Sequence, residues 1–379
     1  MRVVAVNLAA DPAFDDPQQL LDAYHTLTGW ADAMVAANAS VRVVQRFAKD
    51  AAVARRGIQY VFVHDGARGT PEPWDVFPRV ARIAVDDAPD VIHVNGLMFP
   101  GMVGELRRLA PHACIVVQDH SGAVPRLSLW PLSSSRWRRA FERVNACTFT
   151  ARALADRWRP HFLPPDLRII EIPEASTALR PMARDHARAI TGMHGLPAVL
   201  WVGRLDRNKD PFTVLTGLEH VLPSLPGMHV TMVVPATDAR DDVRERVMSS
   251  PMLRDRITLV GPIAHADMAA YYSAADIFVS GSHHEGSGYA LIEAMACGAV
   301  PCVTDIPAFR ALTAGCGVLW TAGDADAFAA AFASLMKRRL DEERAVVLRT
   351  FERSLTWNAI GRKTMAAYSG LLQAVRAAG

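Results

Sequence analysis

Short apolar runs alternate with longer amphipathic stretches through the first half of the chain. The apolar runs, rich in β-branched residues, predict strands at Arg2–Val6, Val41–Arg46, Tyr60–Val63, Val91–Val94, Ile115–Gln118, Ala146–Phe149 and Arg168–Ile172. Helical spacing of apolar residues predicts helices at Pro17–Ala37, Gly101–Leu109, Ser135–Val144 and Ala151–Trp158. Strands that are apolar throughout and separated by helices predict a parallel sheet covered by helices on both faces.

The same plan repeats from Pro197 onward, which predicts a second α/β domain. Its strands are predicted at Val199–Val202, Val230–Val234, Ile257–Val260, Ile277–Val279, Val300–Val303 and Gly317–Trp320. The region between the two halves has mixed polarity and no sustained period, which indicates a linker at 179–195. We therefore predict two Rossmann-like, doubly wound domains at 1–178 and 196–355, with ligands bound in a cleft at the carboxyl ends of the strands. The stretch 356–379 predicts a C-terminal helix that can pack on either domain, including back on the N-terminal one.

Length and composition agree with two soluble domains. The 379 residues exceed what one ordinary core holds, and half of them are hydrophobic while 21% are charged. The formal net charge of +2 gives no reason to expect a nucleic-acid partner. The apolar start is too short for a signal peptide, and no uncharged run reaches the roughly 18 residues of a membrane span. Five scattered cysteines predict reduced, buried thiols and hence a cytoplasmic location: Cys114, Cys147, Cys297, Cys302 and Cys316.

The stretch Ser282–Gly298 is the first candidate site. It follows an apolar strand, contains two glycines in a short turn, and continues as a small-residue helical pattern, so we predict a helix that begins near Gly288. The free N–H groups of such a helix start suit a phosphate. Glu285 stays in the loop while Glu293 lies along the helix, so the carboxylates stand roughly 10 Å apart. An elongated ligand with hydroxyls at each end and a phosphate between them would use both.

The loop after the strand Val199–Val202 is the second candidate. Arg204 and Lys209 are permanent cations at the edge of the predicted cleft, which suits a diphosphate. Taken alone, the loop is better explained as solvated surface in which Asp206 and Asp210 balance the two cations. The diphosphate hypothesis therefore depends on what accompanies this loop.

Five motifs in order resemble the signature of the family 4 glycosyltransferases. They are Gly203-Arg204-Leu205 with Lys209, Val260-Gly261-Pro262-Ile263, Ala275-Asp276, Glu285-Gly286-Ser287-Gly288, and Glu293 through Gly298. The resemblance covers essentially the whole chain and is specific from Val199 to about Gly323. It implies the GT-B architecture, two Rossmann-like domains facing a central cleft, with an acceptor-binding N-terminal and a donor-binding C-terminal domain. It also implies sugar transfer with retention from a nucleoside-diphosphate sugar to an acceptor hydroxyl.

The resemblance assigns roles to residues of the C-terminal half. Glu293 matches the carboxylate that accepts hydrogen bonds from the ribose. Arg204 and Lys209 match the pair that holds the diphosphate and stabilises the leaving charge. Glu285 matches the carboxylate near the donor sugar, and Ile263 lies in the loop that meets the nucleobase. The turn whose backbone approaches the donor matches Gly286, Ser287, Gly288 and Tyr289.

The resemblance is less complete in the N-terminal half. His120 ends a predicted strand and matches a histidine that faces the reacting sugar, although a histidine after a buried strand is as readily a structural hydrogen-bonding group. The loop Asn7–Pro12 lacks the two glycines common in the family, and Ser287 replaces a residue that is usually aromatic. The segment Asp305–Arg310 lacks the usual glycines and glutamate. These departures bear on the donor more than on the fold.

Two short motifs contain residue types that commonly bind metal ions. Asp324-Ala325-Asp326 and His283-His284-Glu285 both suggest metal ligands, but Asp324 stands where a helix N-cap is expected and adjacent histidines on an extended segment point to opposite sides. We therefore predict no metal.

The arginine-rich segment Arg126–Arg159 predicts either a core-facing helix with a solvated outer face, which we prefer, or peripheral contact with the inner face of a membrane.

The combined prediction is a metal-independent retaining glycosyltransferase of the hexosyltransferase type. It needs no cofactor, because the UDP- or GDP-linked sugar is a co-substrate, and its acceptor is a carbohydrate, a lipid-linked molecule or a small molecule. Two alternatives stay open at this point. One is a sugar-nucleotide epimerase or hydrolase of the same fold, and the other is an inactive protein that binds sugar nucleotides.

Overall fold

The computed structural model describes residues 1–66, 71–120, 130–235 and 241–378. The chain divides into two compact units. The first unit contains Met1–Ala175 together with Trp357–Gly379, and the second contains Ser176–Thr356. Each unit is an α/β fold built on a largely parallel sheet, so the predicted fold class is confirmed.

The first unit has an eight-stranded sheet among its described residues. The strands are β1 Arg2–Asn7, β2 Ser40–Arg46, β3 Ala51–Arg55, β4 Ile58–Val63, β5 Val91–Asn95, β6 Cys114–Gln118, β7 Ala146–Phe149 and β8 Ile169–Glu171. Their order is β3-β4-β2-β1-β5-β6-β7-β8, and the pairs are parallel except for the antiparallel pair β3–β4. The strand order reverses at β1, which lies between β2 and β5. This reversal opens the crevice at the carboxyl ends of β1 and β5 where doubly wound sheets bind ligands.

The second unit has a six-stranded parallel sheet among its described residues. The strands are β9 Ala198–Val202, β10 His229–Val233, β11 Ile257–Val260, β12 Ile277–Ser280, β13 Val300–Thr304 and β14 Val318–Trp320. The order β11-β10-β9-β12-β13-β14 reverses at β9, so the loops after β9 and β12 emerge side by side. Both candidate loops of the sequence are therefore at the ligand-binding edge of this sheet.

Helices cover both sheets. The described helices are α1 Pro17–Ala23, α2 His25–Ala36, α3 Pro78–Val85, α4 Pro100–Leu109, α5 Trp130–Phe141, α6 Arg152–Ala155, α7 Arg184–Thr191, α8 Pro211–Val221, α9 Asp241–Ser249, α10 Pro251–Arg254, α11 Met268–Ala274, α12 Tyr289–Ala296, α13 Pro307–Thr313, α14 Ala325–Leu335, α15 Leu340–Ser354 and α16 Trp357–Ala378. The C-terminal helix α16 belongs to the first unit and packs on α2. Small residues make the approach close: a Cβ on Gly361 would lie 2.5 Å from the carbonyl oxygen of Ala33.

The predicted linker is wrong in one respect, because 179–195 contains α7 and joins the second unit. Arg188 of this helix donates to the Asp276 carboxylate over 2.8 Å, and the same carboxylate accepts from the backbone N–H of Ala198. Apolar periodicity does not indicate this helix, because Ala187 is the only one of its eight residues that is buried. The predicted helix Pro17–Ala37 is also two helices, which meet at Tyr24.

Candidate active site

The loops after β9 and β12 are locked together at the carboxyl edge of the second sheet. The N–H of His283 donates to the carbonyl of Asn208 over 2.8 Å, and the Asn208 side chain donates to the carbonyl of His284 over 3.0 Å. Gly281 permits this contact, since a Cβ there would lie 3.0 Å from the carbonyl oxygens of Lys209 and Asp210. The sheet topology thus brings the two candidate loops into one site.

Lys209 and Glu285 form an ion pair across these loops, and both side chains are largely buried. Glu285 Oε1 also accepts from the Ser282 hydroxyl over 2.7 Å. The loop carboxylate of the sequence pattern is therefore held by a cation and a hydroxyl rather than left in solvent. An ammonium and a carboxylate at the same sheet edge can bind an anion and a hydroxyl side by side.

Arg204 is the most exposed cation of the site, with 63% of its side chain accessible. Its Nε donates to Asp206 over 2.8 Å, and Asp206 also accepts from the N–H groups of Asn208 and Lys209. Partial burial opposes the charged form of Asp206, but these hydrogen bonds outweigh burial and lower the pKa of that carboxyl. The sequence correctly paired Arg204 with an aspartate. Asp210 instead caps α8 and accepts from His283, so it does not neutralise Lys209.

Helix α12 begins where the sequence predicted. Gly288 is its N-cap in the left-handed region, with φ +67°, and a Cβ there would lie 2.6 Å from Leu312 Cδ1. The preceding Gly286 and Ser287 are half-buried, and Tyr289 is exposed. Both the backbone conformation and the contact with Leu312 therefore favour glycine at the start of this helix.

Glu293 lies in the second turn of α12, and only 11% of its side chain is accessible. Its Oε1 accepts from Nε2 of His265 over 2.6 Å, and its Oε2 accepts from the hydroxyl of Tyr272 over 3.0 Å. Neither partner was predicted from the sequence, because each lies more than 20 residues earlier and no spacing links it to Glu293. Ile263, also predicted for this site, is half-buried in the same loop as His265.

His120 belongs to the first unit, where it lines a pocket of about 360 Å³ at the carboxyl ends of β1, β5 and β6. Its Nδ1 faces Glu174 Oε2 at 2.6 Å, and its Nε2 faces Asn95 Oδ1 at 3.0 Å. Burial favours the neutral ring, yet the hydrogen bond and charge of Glu174, with Asp119, outweigh burial and raise the pKa of His120. Both ring nitrogens face acceptors, so the geometry also calls for the imidazolium form.

Asn95 connects His120 to the interior of the first unit. It donates through Nδ2 to Asn7 Oδ1, so its Oδ1 accepts from both His120 and His93. Burial lowers the pKa of His93 to about 4, so this ring is neutral and accepts at Nδ1 from the Tyr368 hydroxyl over 2.6 Å. A chain of hydrogen bonds therefore runs from the pocket to helix α16. The sequence indicated only His120 of this chain.

The arginine-rich segment is only partly described, because Arg126 lies outside the described residues and the Trp130 side chain is not described. In α5, Trp137 is fully buried and packs against Phe162, while the arginines of its other face are exposed. Trp158 is buried in the same cluster. No helix within the described ranges is long and apolar enough to cross a membrane.

The two metal-like patterns have other partners in the structure. Asp324 accepts from the N–H of Ala327 over 2.9 Å and caps α14, as predicted. Asp326 pairs with His220, and His283 pairs with Asp210. Across the described part of the chain, no group of three His, Cys, Asp or Glu residues is arranged to hold a metal ion.

Two family profiles match the chain on either side of α7. Glycosyltransferase Family 4 matches residues 26–175, and Glycosyl transferases group 1 matches residues 196–338. A phosphatidyl-myo-inositol mannosyltransferase of Mycobacterium leprae is 25% identical over 362 residues, which cover 89% of this chain and 90% of the relative. A GDP-mannose-dependent alpha-mannosyltransferase of Mycolicibacterium smegmatis is 24% identical over 343 residues, 82% of this chain and 84% of the relative.

The fold is shared with solved glycosyltransferase structures. A sucrose-phosphate synthase from Thermosynechococcus elongatus superposes with a TM-score of 0.69 at 19% identity, covering 98% of this chain and 99% of that protein. The likeness supports the fold alone, and the two profiles together span most of the chain. The resemblance seen in the sequence motifs is thereby confirmed, and the chain belongs to the family 4, group 1 glycosyltransferases of the GT-B fold.

Proposed function

We propose that this glycosyltransferase moves a hexose, with retention, from a nucleoside-diphosphate sugar to an acceptor hydroxyl. The observation that carries the proposal is the pairing of Lys209 with Glu285 beside Arg204, at the reversal of the second sheet, with Glu293 on the adjoining helix. A nucleotide sugar consists of a sugar, a diphosphate and a ribose in that order. Glu285, the two cations and Glu293 would meet these three parts in the same order.

The roles follow from the charges. Arg204 and Lys209 bind the diphosphate and stabilise the negative charge that grows on it as the glycosidic bond breaks. The ion pair with Glu285 holds the Lys209 ammonium in place, so the cation needs no rearrangement to meet the donor. Glu285 then accepts hydrogen bonds from the donor sugar, while the backbone from Gly286 to Tyr289 approaches the phosphates.

We propose metal independence for the same reason. A divalent cation in sugar transfer neutralises the leaving diphosphate, and here two side-chain cations take that role. The donor is a co-substrate and no further cofactor is needed. GDP-mannose is the first donor to test because it appears in the name of the Mycolicibacterium relative, with UDP-linked sugars next.

The pocket of the first unit is the proposed acceptor site. Its lining is largely apolar and includes polar side chains at the strand ends, among them Asn95 and His120. The buried Nδ2 of Asn7 has no hydrogen-bond partner within the described residues, which leaves one amide donor for a ligand. An acceptor with a hydroxylated ring and an apolar face, such as a carbohydrate or a lipid-linked molecule, fits this lining. If the acceptor is held in a membrane, the exposed arginines of α5 would bind anionic lipid headgroups and bring the enzyme to that surface.

A donor panel tests the proposal. Purified protein is offered GDP-mannose and UDP-hexoses in EDTA, and the released nucleoside diphosphate is measured with and without candidate acceptors. Acceptor-stimulated release with an α-linked product supports retaining transfer. Nucleoside diphosphate release that does not depend on an acceptor supports the hydrolase alternative, and an epimerised sugar supports the epimerase alternative. Binding without turnover supports an inactive protein.

Glu293→Ala should abolish donor binding, whereas Glu245→Ala on the exposed face of α9 should not.

A further inference from the structure

The Glu293 carboxylate is held from two sides by residues of one neighbouring segment. His265 lies in a short 3-10 turn after β11, and Tyr272 lies in α11, which follows that turn. His265 Nε2 donates to Oε1 over 2.6 Å and the Tyr272 hydroxyl donates to Oε2 over 3.0 Å, so each oxygen has one hydrogen-bond partner. The plane of the carboxylate is therefore fixed before any ligand binds.

The two partners differ in exposure. Tyr272 is fully buried and forms the back of the site. The His265 ring is 52% accessible, so it lies on the side from which a ligand reaches Glu293. The hydrogen bond that His265 donates to Glu293 raises the pKa of His265 against the effect of burial. The exposed partner thus holds Glu293 through a short hydrogen bond on the open side of the carboxylate.

The remaining capacity of the carboxylate matches a diol. An ionised carboxylate accepts about four hydrogen bonds. Two are taken, one on each oxygen, so about one position per oxygen is left. Two hydroxyls on adjacent carbons donate to such a pair of oxygens, and a ribose presents them at its 2′ and 3′ positions.

We propose that His265, backed by Tyr272, is a positioning residue that fixes the Glu293 carboxylate for the two ribose hydroxyls and so selects ribonucleotides over deoxyribonucleotides. The proposal rests on the proposed function, which gives Glu293 the ribose. Without His265 the carboxylate keeps only the hydrogen bond from Tyr272 and can rotate about it. At metal sites, where the same orienting role is best measured, partners of this kind typically change ligand affinity by about 10- to 100-fold.

The test compares ribose and deoxyribose ligands in variants of the full chain. The affinities of UDP, GDP and their 2′-deoxy forms are measured by calorimetry in EDTA. The wild-type protein should prefer the ribose form of its nucleotide by about tenfold, the value of one good hydrogen bond. His265→Ala should weaken the ribose form about tenfold and bring the ratio close to one. His265→Gln, which keeps a donor of similar reach, should restore most of the preference.

Two controls separate a positioning role from general damage. His186→Ala, at an exposed site on α7, should change nothing, and Tyr272→Phe should reduce the preference from the buried side. If His265→Ala keeps the wild-type preference, or weakens both sugar forms equally with no rescue by glutamine, the positioning role is excluded. If Glu293→Ala binds the nucleotide as tightly as the wild-type protein does, the ribose assignment in the proposed function is wrong instead. If neither UDP nor GDP binds the wild-type protein, both proposals fail together.

Discussion

Lys209 is the residue on which most of the proposed chemistry converges, because it is largely buried and already paired with Glu285. We expect Lys209→Met to lower kcat of sugar transfer by about 10² or more, since it removes a preorganised charge from the leaving group. Arg207→Met, an exposed arginine in the same loop, is the matched control and should leave kcat unchanged. Steady-state kinetics with the preferred donor measure both variants. Equal losses in the two variants would mean that the loop supplies only diffuse charge.

His120 gives a prediction about pH. Its pKa is raised by Glu174 and Asp119 in spite of burial, so the ring is cationic below that raised pKa and neutral above it. If the cation supports transfer, kcat/KM should fall as the pH rises through the raised pKa. Glu174→Gln removes the main cause, so the fall should begin at lower pH.

Two measurements check this pH prediction. The pH profile of kcat/KM gives the kinetic pKa, and nitrogen NMR of the His120 ring gives the pKa of the side chain itself. An unchanged ring pKa in Glu174→Gln would show that Glu174 is not the cause. The ring is 46% accessible, so solvent screens part of the interaction and a moderate shift is expected.

At the residue scale, the sequence indicated candidate ligand-binding groups but not the residues that hold those groups in place. Arg204, Lys209, Glu285 and Glu293 stand in motifs of fixed spacing, which the sequence alone reveals. His265 and Asn95 act through contacts made only by the folded chain, and the distance along the chain to their partners carries no pattern. Sequence reasoning alone therefore had no means to identify them.

At the scale of elements, the packing of α16 on α2 yields a matched pair of glycine variants. Gly361→Ala places a methyl group 2.5 Å from the Ala33 carbonyl oxygen, so it should lower the free energy of unfolding by about 1–3 kcal/mol. Gly370→Ala in the same helix meets only Arg168 Nη2 at 3.9 Å and should raise that free energy by about 0.5–1 kcal/mol. Denaturant titration measures both. A loss of stability in Gly370→Ala would contradict this account of the packing.

The strands were predicted closely because a buried parallel strand is apolar along its whole length. The exception is β3, which was not predicted because it is an edge strand with no fully buried residue and pairs antiparallel with β4. Helices were harder at their ends. The break at Tyr24 and the position of α5 depend on local packing, which helical periodicity does not encode.

At the scale of the whole molecule, the two units differ in continuity. The second unit is one uninterrupted stretch, Ser176–Thr356, whereas the first needs α16 from the far end of the chain. We expect a 176–356 fragment to fold alone and to bind the preferred nucleoside diphosphate. A 1–175 fragment lacks Tyr368 and Leu371 of its own core, so it should not unfold cooperatively.

Adding α16 back provides the control for this prediction. The 1–175 fragment joined by a flexible linker to Trp357–Ala378 should regain a cooperative thermal transition, measured by circular dichroism. A cooperative transition in 1–175 alone would show that α16 contributes little to the first unit. Loss of nucleotide binding in the 176–356 fragment would mean that the second unit does not hold the nucleotide by itself.

The packing of α16 on the first unit also sets the order in which the two units can be completed during translation. The 22 residues of this helix follow the whole second unit along the chain, so during translation the first unit stays incomplete until the second unit has been synthesised. The face of α2 that α16 covers stays exposed during that interval. A nonsense mutation before Trp357 would therefore leave the second unit whole and the first unit without its last helix.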